Sequence, residues 1–134
     1  MPEDLYTAVV TATPGAARSS DDALSVTVSE PGELGGSGDG TNPEQLMAAA
    51  LGSCLLESLR IAASTRGASI DDASVEARVT LASASGPGYT ATYALQVSLP
   101  GVEDAAGVLA EAQSLCPFTK TLDASTLDVQ LAGS

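Results

Sequence analysis

The sequence predicts an α+β fold in a single domain spanning 1–134, with helices laid against an antiparallel sheet. Three observations carry this expectation: several stretches alternate apolar and polar residues, one long apolar segment opens on helix-start signals, and Ser85-Gly86-Pro87-Gly88 joins two of the alternating stretches as a hairpin turn. A chain of 134 residues supplies enough material for one two-layer domain, and no stretch reads as an interdomain linker.

The elements follow in order. Residues 5–13 and 23–29 predict strands, the second with Leu24, Val26 and Val28 on one face, and 14–22 predicts the loop between them. Five glycines among the nine residues 32–40 exclude a long regular element there and predict a turn series or ligand-facing loop. Helix-start signals overlap next: Thr41 and Glu44 have capping-box spacing, whereas Asn42 before Pro43 fits an N-cap and first helical position. The helix then runs from Glu44 to about Arg66, about 33 Å long, with a bend allowed at Gly52. Its first half is apolar on nearly every side, so it needs enclosing, and dimerisation through or around it is expected. Strands at 74–84 and 89–99, a helix at 102–115 and a strand at 127–131 complete the order.

Composition narrows the chemistry. No histidine is present, which removes Ser-His-Asp and Cys-His nucleophile pairs and imidazole-ligated metals, and two cysteines cannot complete a four-ligand soft-metal cage. No metal site is therefore expected. Five Lys and Arg against seventeen Asp and Glu give a net charge of −12, which disfavours nucleic acid and anionic membranes as partners. The longest apolar run, 46–56, falls short of the roughly 20 residues of a bilayer span, so no membrane insertion is expected. Glu3 and Asp4 stand where a secretory leader carries positive charge, and a cytoplasmic location follows as the expectation.

Cys54, in GSCLL, and Cys116, in SLCPF, are the candidate reactive groups. Cysteine is among the most often buried residues, and inert core filling accounts for both. Against that, Cys116 precedes Pro117, which lets a thiol sit at the start of a new turn, near free amides that stabilise a thiolate. Two cysteines without histidine favour redox chemistry. A thiolate attacks a peroxide, becomes a sulfenic acid, and is rescued by a second thiol as a disulfide that an external dithiol reduces. A cation must lower the first thiol's pKa, and the choice is Arg18, Arg60, Arg66, Arg78 or Lys120, with Glu44 or Glu57 to hold an arginine. Glu44 and Cys54 are separated by about 15 Å of helix rise and do not touch; helix capping alone also accounts for Glu44. Glu57, one turn after Cys54, would depress its reactivity if directed at it.

TNPEQLMAAALGSCLLESL, with CPF in SLCPFTKT 62 positions after its cysteine, closely resembles the organic hydroperoxide resistance (Ohr) branch of the Ohr/OsmC peroxidases. LYTAVVTAT, ELGGSGDGTNPEQL and TLDVQLAG extend the likeness over nearly the whole chain. The resemblance implies an intertwined homodimer in which antiparallel sheets wrap central helices, with two active sites near the subunit interface. It implies Cys54 as the peroxide-attacking thiol, Cys116 as the resolving thiol, and Glu44 as the carboxylate that steadies an arginine. The family arginine lies in the loop between the first two strands; that loop, TPGAARSSDD, is shortened here, and Arg18 is its one basic residue. Alkyl and fatty-acid hydroperoxides are the implied substrates, with a lipoylated protein or other dithiol, rather than a bound cofactor, as reductant. Gln113 and Phe118 replace the histidine and tyrosine common in the family, and Glu57 a small residue. The competing expectation is a noncatalytic dimer that keeps the fold and binds a hydrophobic ligand; a permanent structural disulfide ranks third.

Overall fold

The computed structural model describes residues 3–133. They fall into two compact units divided between Leu46 and Met47.

The first unit is a three-stranded antiparallel sheet of β1 (Val10–Thr13), β2 (Ala16–Ser19) and β3 (Ser25–Thr27), in that order. β1 is shorter than the pattern at 5–13 predicts. The β2 backbone faces only 10–13 in strand register, and Leu5 and Tyr6 remain 92% and 82% exposed. The segment 14–22, read as a loop, contains β2. Its residues Ala16, Ala17, Arg18 and Ser19 include no β-branched or aromatic side chain, so strand propensity is silent there. Pairing on both sides decides the conformation instead, and Gly15, at φ +88°, makes the tight turn that starts it. In the glycine-rich stretch only Gly32–Leu34 is regular, one 3-10 turn ended by Gly35 in the left-handed region.

Helix α1 (Pro43–Ser64) has 22 residues. The Asn42 Oδ1 accepts from the Gln45 amide at 2.9 Å, so Asn42 is the N-cap and Pro43 the first helical residue. Thr41 donates instead to the Gln45 Oε1, and no Thr41–Glu44 capping box forms. The helix is continuous through Gly52. By length and composition α1 qualifies as a bilayer span, yet Leu51, Leu55, Leu59, Ala62 and Ala63 have no exposure, the position of a core helix.

The second unit pairs β4 (Ser74–Ser83) antiparallel with β5 (Tyr89–Ser98), and β5 parallel with β6 (Leu127–Leu131). This corrects the all-antiparallel expectation: the sheet is mixed. After β5 the chain turns at Gly101, φ +75°, and returns through α2 (Ala105–Leu115) and α3 (Pro117–Thr121), so that Leu127 pairs with Tyr93 in the middle of β5. Asp104 caps α2 by accepting from the Gly107 amide. Central β5 supplies the buried Leu95 and Val97, and Leu99 follows at its end. With one face of α1 and with Val108, Leu109 and Ala112 of α2, they form the core.

Candidate active site

The dipeptide Cys116-Pro117 sets the geometry. Proline disfavours helical backbone in the residue before it, and Cys116 is extended at φ −71°, ψ 116°. Helix α2 therefore ends at Leu115, and Pro117 opens α3 as its first residue. Cys116 lies in this break, fully enclosed by the core. Cys54 packs against the same core from the middle of α1 and is half-buried. The two sulfurs are free thiols 3.4 Å apart, across 62 positions of sequence.

Their surroundings push them in opposite directions. Burial raises the Cys54 thiol above its ordinary value, and the neighbouring Cys116 adds to the rise. Burial also acts upward on Cys116, but the Thr119 amide and hydroxyl beside it, with Cys54 and the Phe118 amide, outweigh it and lower the thiol.

The remaining candidates are placed as follows. Arg18 projects from β2, largely exposed, and its Nε donates to the Asp22 Oδ1 at 2.5 Å. Its ion-pair partner is thus Asp22, four residues on, rather than Glu44. Glu44 lies in the first turn of α1, half-buried, its carboxylate in no side-chain hydrogen bond or ion pair among the described residues. Glu57 is exposed and paired with Arg60, whose guanidinium holds the carboxyl below its usual range. Arg66 bridges to Glu111 at 2.7 Å, Arg78 is paired with Glu76, and Lys120 sits in the last turn of α3. A groove of about 320 Å³ between α1 and β4 is lined by small and apolar residues including Ala48, Gly52, Leu56 and Ala77, and by neither cysteine. Among the described residues, no group of three or more Cys, Asp or Glu side chains is arranged to hold a metal.

Sequence reasoning missed Thr119 and Asp22. The signals were present: Thr119 falls in the first turn that Pro117 opens after Cys116, and Asp22 has i,i+4 spacing from Arg18.

Residues 36–132 match the model of the OsmC-like protein family. An organic hydroperoxide resistance protein of Xanthomonas axonopodis pv. citri is 37% identical over 122 residues, which cover 86% of this chain and 85% of that protein. Among solved structures, an organic hydroperoxide resistance protein OsmC from Legionella pneumophila superposes with a TM-score of 0.84 at 29% identity, covering 96% of this chain and 97% of that one. The OhrB protein of Bacillus subtilis gives a TM-score of 0.79 at 29% identity, with 96% and 98% covered. These likenesses extend across both cysteines and the helices that bring them together, and the chain accordingly belongs to the OsmC-like family, in its organic hydroperoxide resistance branch, as a cysteine-based redox enzyme.

Proposed function

We propose that the protein reduces organic hydroperoxides to alcohols. The Cys54 thiolate attacks the outer oxygen of the peroxide, the O–O bond breaks, and the departing alkoxide takes a proton to leave as alcohol. Cys54 is then a sulfenic acid. The Cys116 sulfur attacks it, water leaves, and a Cys54–Cys116 disulfide forms, which an external dithiol, of lipoyl type in our reading, reduces to two thiols. The observation that carries this reading is the 3.4 Å contact between two free sulfurs 62 positions apart. Apolar walls around the pair suit an alkyl or fatty-acid peroxide better than hydrogen peroxide.

The chain's local field raises Cys54 rather than ionising it, so the reading requires a cation that reverses the bias. We assign that role to Arg18, with Glu44 holding its guanidinium in a homodimer, in place of the Asp22 pairing described above. Arg18→Ala is expected to raise the Cys54 titration midpoint and slow peroxide consumption by about 100-fold, the scale on which positioned charges act in catalysis. Equal rates in the variant and wild type would remove Arg18 from the site.

Two substitutions test the cycle. Cys54→Ser is expected to abolish consumption of an alkyl hydroperoxide, whereas Cys116→Ser permits one oxidation, blocks dithiol-driven turnover and leaves Cys54 open to sulfinic acid. Undiminished turnover of Cys116→Ser would overturn the resolving role. If Cys54 stays protonated near neutral pH and inert to peroxide, the reading favoured by its upward shift is the alternative: a dimer that binds a hydrophobic ligand without chemistry.

A further inference from the structure

The two sulfurs differ in access as well as in charge. Cys116 has no exposed surface within one chain. A partner subunit only removes surface, so this sulfur stays enclosed in any oligomer built from the same fold. Cys54 is half-buried, and under the peroxidase reading it must admit a hydroperoxide, so an approach to it exists. Thiol–disulfide exchange needs an incoming thiolate on the side of the attacked sulfur opposite the leaving one. For Cys116 that side is closed by packed core.

Resting on the peroxidase reading, we infer that the external dithiol attacks the Cys54 sulfur of the disulfide and expels Cys116 as the leaving thiolate. One thiolate of the dithiol forms a bond to Cys54 Sγ, the Cys54–Cys116 bond breaks, and its electron pair leaves on Cys116. The second thiol of the reductant, deprotonated, attacks the reductant's own sulfur in the mixed disulfide. This step closes a cyclic disulfide and releases the Cys54 thiolate, so the dithiol has lost two electrons and two protons, and the protein has gained them as two thiols. The place of Cys116 in the break before α3, with the Thr119 amide beside it, suits it to the leaving role, because a donor near the sulfur favours its anion. The less basic thiolate is also the faster one to leave.

A monothiol stops the sequence at the mixed disulfide. The full-length protein is oxidised with diamide, and mass spectrometry checks that the internal disulfide has formed. It is then mixed with excess 2-mercaptoethanol, acid-quenched at early times, alkylated with N-ethylmaleimide and digested. The expected result is mercaptoethanol on Cys54 and maleimide on Cys116, exceeding the reverse pattern by about tenfold or more, as access and leaving-group basicity both favour it. Adduct on Cys116, or in equal amounts on both, overturns the inference. Loading with diamide keeps the two claims apart: a disulfide that forms with diamide but not with an alkyl hydroperoxide defeats the peroxidase reading, while the position of the adduct still reports where the thiol attacks.

Discussion

Cys54 and Cys116 carry the same functional group in contact with each other, yet the chain treats them differently. Cys54 is presented by a continuous helix whose own amides are already engaged, and burial together with Cys116 raises it despite the Phe118 amide. Cys116 stands at a helix break, where Thr119 and Phe118 supply donors. Removing the hydroxyl with Thr119→Val, in a Cys54→Ser background that isolates one thiol, is expected to move the Cys116 ionisation upward in pH. Thiolate absorbance followed against pH measures it, and an unchanged midpoint would remove the hydroxyl from the account. The sign follows from the direction of the effect: a donor that favours the anion lets the proton leave at lower pH, so losing it delays ionisation. The cysteines themselves were legible in the sequence because their surroundings, GSCLL and CPF, are distinctive. Thr119 was missed because its role shows only once Pro117 is read as breaking the helix and setting Thr119 in the turn after Cys116.

Among the elements, α1 was the most legible. Its start, length and buried stripe all follow from local signals, with Asn42 as the working cap. Asn42→Ala is expected to cost about 1 kcal/mol, read as a lower urea midpoint with an unchanged slope. A loss below a few tenths of a kcal/mol would mean that the Thr41–Gln45 contact carries the helix start instead. Strands were less legible for two separate reasons. β2 lacks the side chains that mark a strand and is specified by its two neighbours. The parallel pairing of β6 cannot be read from alternation, because a strand pattern is the same in either direction; the deciding fact is that the α2–α3 connection carries the chain back across the sheet.

For the whole molecule, the apolar surface left on one chain is the leading fact. Leu5, Tyr6 and Val9 just before β1 and Val10 within it are exposed, β1 being an edge strand, and an apolar edge of this kind is a liability unless something covers it. A homodimer is the assembly we propose, and sedimentation equilibrium is expected to return twice the chain mass of 13.3 kDa. Because each chain carries a net charge of −12, association should tighten as salt screens the repulsion; a species of 13.3 kDa at all concentrations and salts would reject the dimer. The contact between α1 and the α2–α3 break has one more consequence. A bond between sulfurs 62 positions apart would close a ring that contains the entire β4–β5 hairpin and restrict the unfolded chain by about 4 kcal/mol of loop entropy. The spent enzyme awaiting its electrons would then resist heat better than the ready one, and a protease nick at the hairpin tip would leave it in one covalent piece.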